Sequence, residues 1–257
     1  MARTIDLNSD LGEGFGPWPM GDDEAMLSVV SSANIACGGH AGDPETMYRT
    51  LSTAARQGVT VGAHPGYNDR EGFGRRIIPM AVDAIGRMVA AQVGALQAIA
   101  SLVPVPVRYV KLHGALANLA ARDEDTAREV VSTIQQIDEG LAILAISGTE
   151  LERVARNAGT SVFSEVFADR GYQPNGQLVP RDQPGAMIHD AARAVDRLLG
   201  FLETGLMPVV GAEPIPLQAD SICVHGDGYG AVAMAKLIRA ELIAAGNTPA
   251  PFMTPNP

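Results

Sequence analysis

Polar and apolar positions alternate from the start of the chain. Ile5, Leu7 and Ser9 fall on one side of an extended segment, and Asp6, Asn8 and Asp10 on the other, because successive strand side chains point to opposite faces. Two carboxylates and an amide on one face of a core strand must be paired, hydrated or metal-bound. The glycine-rich turn after this strand, Leu11-Gly12-Glu13-Gly14, delivers a third carboxylate.

Strand and helix patterns then alternate. Asp22 to Val30 reads as a short helix and Ser32 to Cys37 as a second strand, stopped by Gly38-Gly39-His40. Asp43 caps a helix that begins at Pro44, a residue suited to the first helical position, and Gly58 ends it. Val59 to His64 is a third strand. Residues 80–103 carry Val82, Ile85, Val89, Leu96, Ile99 and Val103 along one stripe, the spacing of an amphipathic helix. Val107 to His113 is a fourth strand, with a helical stretch from Gly114 to about Ile137. Leu141 to Ile146 is a continuous apolar run, as in a buried parallel strand. A short helix capped by Ser147-Gly148-Thr149, a strand from Ser161 to Ala168, a helix from Pro184 to Gly205, a strand from Ser221 to Val224 and a helix from Ala231 to Ala245 complete the series. From 246 on, the Pro-rich tail to Pro257 has little to hold it.

About seven strands alternating with helices predict an α/β fold with a parallel sheet, closed as a barrel or open. Neither an internal repeat nor a linker-like change of composition divides the 257 residues, so residues 1–257 read as one domain. A hydrophobic content of 46% is ample for its core. The formal charge of −10 argues against nucleic acid or an anionic membrane as partner. No signal-peptide pattern opens the chain, and the sequence lacks an apolar run long enough for a bilayer, so a cytoplasmic location is expected. Cys37 and Cys223 each sit in an apolar strand-like run and read as reduced, packed thiols. Lys111 and Lys236 are the only lysines among 19 basic residues, which singles out Lys111 inside a strand.

The chemistry collects just past the end of each strand. Asp10 and Glu13 come after the first, His40 and Asp43 after the second, and His64 ends the third. Lys111 and His113 end the fourth, Asp169 and Arg170 come after the sixth, and His225 and Asp227 end the seventh. Carboxyl ends of parallel strands gather at one rim, where sites are built. The fifth histidine, His189, reads as an exposed helix residue. Two chemistries suit this rim. Asp10, His40 and His64 could hold a divalent metal that activates water. Alternatively, general acids and bases work without metal while Lys111 and Arg170 hold an anionic substrate. Neither the dinucleotide glycine fingerprint nor the P-loop pattern occurs.

Several segments together resemble the LamB/YcsF family, known as the A subunit of 5-oxoprolinase. They are Asp6–Gly14, Ser32–Asp43, Gly62–Pro65, Lys111–Leu116, Glu165–Tyr172, Leu178–Arg181 and His225–Asp227. The resemblance implies a distorted seven-stranded β/α barrel like that of the polysaccharide deacetylase superfamily. It also implies ATP-dependent ring opening of 5-oxoproline to L-glutamate together with partner subunits B and C, and allows a homo-oligomer. Three positions depart from the family pattern: Ser9 stands where cysteine or alanine is common, Leu112 where proline is, and Ala117 where tyrosine is.

The chemistry fits these residues. A lactam is a resonance-stabilised amide, and phosphorylating its carbonyl oxygen would let water add to the carbon. Asp10, Glu13, His64, His113 and Lys111 are the catalytic candidates; Asn8, Asp43, Arg170, His225 and Asp227 are the substrate-binding ones. With no P-loop in the chain, ATP is expected to be bound by, or shared with, the partner subunits. The rival readings are a stand-alone metal-dependent amidase or deacetylase, and a non-catalytic binding subunit.

Overall fold

The computed structural model describes residues 3–228 and 230–253. Its elements in chain order are β1 (Thr4–Leu11), α1 (Asp23–Leu27), β2 (Ser32–Ala36), α2 (Pro44–Gln57), β3 (Thr60–His64), α3 (Val82–Ala100) and β4 (Val107–Val110). They continue with α4 (Gly114–Ala120), α5 (Glu124–Ile137), β5 (Ala142–Ile146), α6 (Glu150–Asn157) and β6 (Val162–Phe167). Last come α7 (Ala191–Thr204), β7 (Leu206–Val209), β8 (Ala212–Pro216), β9 (Ser221–Cys223), α8 (Ala231–Ala244) and β10 (Thr248–Pro249).

The expected parallel sheet closes into a seven-stranded barrel. β1 through β6 pair in sequence order, β9 pairs with β6, and β9 returns to β1, every pair parallel. Apolar faces of the strands and of the surrounding helices share the main core, with Leu7, Ile35, Val61, Val110, Ile143, Val166 and Ile222 buried. The other strand face looks inward and is polar in its upper part. Side chains from β1, from the end of β4 and from β6, which are not neighbours in the sheet, meet there across the barrel: Asn8, Lys111 and Glu165. Gly62 leaves room for one of them: a Cβ there would lie 2.2 Å from the Tyr109 ring.

Three expectations need correction. The stretch 114–137 is two helices, because Asp123 accepts hydrogen bonds from the Thr126 backbone and hydroxyl and so caps a new start. The helix expected from Pro184 begins only at Ala191, where Asp190 caps it. The tail is held as far as it is described. Thr248–Pro249 pairs with β1, and Phe252 packs against Tyr109 and Phe163 at ring separations of 5.0 and 4.7 Å, plugging the barrel beneath its polar layer. The remainder of that tail, 254–257, lies outside the described residues. The antiparallel hairpin β7–β8 has no counterpart among the expected elements.

The lowest inward side chain of β1, Asp6, is fully buried and accepts from the hydroxyls of Ser31 and Ser32 at 2.7 Å and from that of Ser221. Burial outweighs these donors and pushes its pKa up from 3.8 to about 6. The folded protein therefore holds this proton more tightly than the unfolded chain. Stability from Asp6 is complete below pH 3.8 and is lost as pH rises through 6, a swing of about 3 kcal/mol. Asp6→Asn is expected to remove that part of the pH dependence. Urea midpoints at pH 4 and pH 7 that respond identically in both proteins would contradict it.

Candidate active site

The ends of the barrel strands open into a cavity of about 840 Å³ whose walls include Asp10, His64, Lys111, His113 and Glu165. The floor is an ionic network. Lys111 donates to Asp10 Oδ1 at 2.9 Å and lies 2.9 Å from Glu165 Oε1, with Cys223 Sγ at 3.1 Å. Asn8 ties the two acids together from below: its amide donates to Glu165 and Ser221, and its oxygen accepts from Asn34 and Lys111. Asn34 also donates to Asp10 at 2.9 Å, and Tyr109 donates to Asn34 at 2.7 Å.

This packing sets the charges. Burial alone would raise the Asp10 carboxyl, but the adjacent His64 ring and the Lys111 ammonium pull it well below the usual carboxylate range. Burial opposes the charge on Lys111, yet Asp10, Cys223 and Glu165 hold it protonated, well above an ordinary lysine. Burial raises Glu165 despite Lys111. Glu13 has no such cation. Burial first, then the charges of Asp10 and Asp227, push it well above its ordinary value. Two carboxyls of one rim are thus pushed in opposite directions by their surroundings.

Above this floor stand three histidines. His40 and His113 stack face to face at 3.6 Å, and His64 meets both edge-on. The backbone fixes two of them. His64 Nδ1 lies 2.8 Å from the Lys111 carbonyl, and His113 Nε2 lies 2.8 Å from the Phe73 carbonyl. A carbonyl only accepts, so those nitrogens carry the protons and, in the neutral rings, His64 Nε2 and His113 Nδ1 are bare. The bare nitrogens face each other at 3.0 Å. Asp10 Oδ2 lies 3.4 Å from the first and Glu13 Oε1 3.6 Å from the second. His40 Nε2 completes the group 3.1 Å from Glu13, while its Nδ1 is buried with no partner. Burial, then the neighbouring histidines, hold His40 and His113 well below the usual histidine range.

The His64 and His113 lone pairs face each other with no donor between them, which calls for a proton or a cation. Glu13, His40, His64 and His113 offer one ligand atom each within 4.8 Å of one another, a donor set that suits a divalent ion. The metal set read from the sequence is changed accordingly. His40 and His64 are in the group, and Glu13 and His113 join them. Asp10 stands beside it, held by Lys111 and Asn34.

Other expected residues fall at varying distances from this centre. Asp43 is a helix cap, accepting from the backbone of Glu45, Thr46 and Gly16, and is not in the cavity wall. Arg170 lines the cavity, but its guanidinium donates to the Ala186 and Val179 carbonyls and so pins the segment after β6. Lys111 is neutralised by two carboxylates, which leaves it unsuited to anchor a substrate anion. His225 is held by Asp169 at 2.8 Å and faces Arg181 at 3.2 Å. Asp227 pairs with Arg75 at 2.6 Å, a bridge between the loops after β3 and β9. His189 is exposed, as expected, but it lies just ahead of α7 and not within a helix. The strand-end pattern misses Glu165, Arg75 and Arg181 as site residues. Glu165 carries a readable signal, an acid within the apolar run Val162 to Phe167.

The sequence profile of the LamB/YcsF family matches residues 5–256. A relative from Gluconobacter oxydans (strain 621H), named as the A subunit of 5-oxoprolinase, is 47% identical over 245 residues, 95% of this chain and 96% of its own length. Among solved structures, the Lactam Utilization Protein from Thermus thermophilus superposes with a TM-score of 0.90 at 37% identity, covering 96% of this chain and 99% of that one. A structure described as T48 deacetylase with substrate shares the fold, with a TM-score of 0.50 at 14% identity over 97% of this chain and 88% of that one.

Proposed function

This chain belongs to the LamB/YcsF family, and from that premise we propose that it is the hydrolytic subunit of a 5-oxoprolinase, opening the lactam of 5-oxoproline to L-glutamate. The names of its relatives support the subunit role. The observation that carries the hydrolytic reading is the convergence of Glu13, His40, His64 and His113, set on the Lys111–Asp10 floor of the cavity.

The residues divide the work. When bound by Glu13, His40, His64 and His113, a divalent ion would lower the pKa of a water and polarise the lactam carbonyl. Glu13 would supply the one carboxylate of that ligand set beside the three neutral rings. Asp10 stays ionised on the floor beneath the rings, with Lys111 fixing its position. Arg181, in the cavity wall with no carboxylate within 4 Å among the described residues, is the better anchor for the substrate carboxylate. Ala117, where the family commonly has tyrosine, lines the same cavity and leaves space beside the ring.

Opening an unstrained amide requires activation, and ATP bound by or shared with partner subunits B and C is the source this reading assigns. The purified chain is expected to show no 5-oxoproline-dependent ATP hydrolysis alone, and to release glutamate once the partners and ATP are supplied. ATP turnover by this chain alone that depends on 5-oxoproline would overturn the division of labour. ATP-independent hydrolysis of simple amides would favour a stand-alone amidase instead.

A further inference from the structure

Phe73 is the one non-glycine residue among those described with a left-handed backbone, φ +52°. A bulky side chain is disfavoured there, and such strain persists only where the surroundings impose it. The surroundings are the histidines. The Phe73 carbonyl lies 2.8 Å from His113 Nε2, and its ring stands edge-on to His113 and His40 at 5.2 and 5.5 Å. The next residue, Gly74, passes so close that a Cβ there would lie 2.7 Å from the Cβ of His40 and 2.9 Å from the His113 ring. Its carbonyl accepts from the Ala115 amide, which ties the loop to the start of α4. On the solvent side the Arg75 guanidinium lies 4.7 Å from the centre of the Phe73 ring, and Arg75 bridges to Asp227. The loop is thus fixed on both flanks around a strained residue.

The geometry points to Phe73 as a positioning residue whose strained backbone sets the tautomer of His113. With its carbonyl in place the proton sits on Nε2, and the Nδ1 lone pair faces His64 Nε2. If the carbonyl swings away, His113 is free to take its proton on Nδ1, which removes one of the four ligand atoms. The Phe73 ring covers the stacked pair and shields this choice from water. This role rests on the cation-binding reading of the histidine group, but the tautomer itself is a property of the ion-free protein.

Two substitutions separate backbone from ring. Phe73→Gly deletes the ring but adopts positive φ without strain. Phe73→Val places a β-branched residue where left-handed backbone is most disfavoured. Nitrogen-15 NMR of the ion-free wild type is expected to show His113 protonated at Nε2 and His64 at Nδ1, with Phe73→Gly unchanged and Phe73→Val a mixture at His113. Titration with zinc alone is expected to be near wild type for Phe73→Gly and about 10–100-fold weaker for Phe73→Val, the range typical when a group orienting a ligand is lost. Nδ1 protonation of His113 in the wild type, or equal zinc affinity and unchanged tautomers in Phe73→Val, would overturn the role of Phe73. Wild type that binds no zinc yet shows the expected tautomers would instead refute the cation reading and leave Phe73 as the residue that fixes His113.

Discussion

Asp10→Asn is expected to reduce glutamate formation by the assembled enzyme at least about a hundredfold, the scale lost when one charged group aimed at a reacting centre is removed. The substitution keeps size and shape. Asn34 and Lys111 can still donate to the remaining oxygen, so the network below survives. What disappears is a fixed negative charge 3.4 Å from His64 Nε2. An amide nitrogen turned toward that bare lone pair would donate to it, blocking the atom that the histidine group presents to an ion. Stability and binding to the partner subunits should stay close to wild type. Turnover within a few-fold of wild type would remove Asp10 from the mechanism.

The largest effect on stability is expected from Lys111→Met. The methionine fills a similar space, but Asp10 and Glu165, each 2.9 Å from the ammonium, are left as two buried carboxylates without a cation. Breaking such a buried set by removing one partner costs about 3–5 kcal/mol, or a fall in Tm of about 10 °C for a chain of this size. The stranded carboxyls would titrate upward, so the loss should be greatest above neutral pH and shrink as pH falls toward about 5. Adding Glu165→Gln to Lys111→Met should restore part of the stability, because one charge then leaves with the other. Thermal unfolding in mildly acidic and mildly alkaline buffer reads both effects. A single variant as stable as wild type on the alkaline side would show that the network is not ionised as described.

Much of this arrangement is legible in the sequence. The alternation of Asp6, Asn8 and Asp10 places three polar groups on one face of β1, and they do look into the barrel. Lys111 and His113, two residues apart, both reach the cavity wall. These readings succeed because a strand has a strict period of two and the alternative is a buried, unsatisfied charge. Where the readings fail, the deciding contacts are long-range or the local signal misleads. Arg122-Asp123 breaks a helical stretch without glycine or proline, so only the Asp123 cap reveals it. Pro208, Pro214 and Pro216 argue against strands, yet β7 and β8 form a separate pair whose turn is made by Val210 and Gly211, the glycine at φ +69°.

The site is legible as a set of residues but not as a set of partners. Which carboxylate joins the histidines depends on Lys111, just past the end of β4, claiming Asp10 and leaving Glu13 to the rings. Which nitrogen of His113 faces the group depends on the carbonyl of Phe73, forty residues away in the chain. Neither is encoded in spacing. Asp43 illustrates the reverse case. Its position before Pro44 already gives the capping role that the structure shows, and the rim placement adds a second role that its geometry does not support.

The most direct test is a zinc titration of the purified, metal-stripped chain, read by calorimetry and repeated with His64→Ala and His113→Ala. Convergent acceptors with two tautomers locked by backbone carbonyls predict that the wild type binds a single ion and that either substitution abolishes or severely weakens it. Wild-type protein that binds no ion, or binding indifferent to His64 and His113, would contradict the site at its centre.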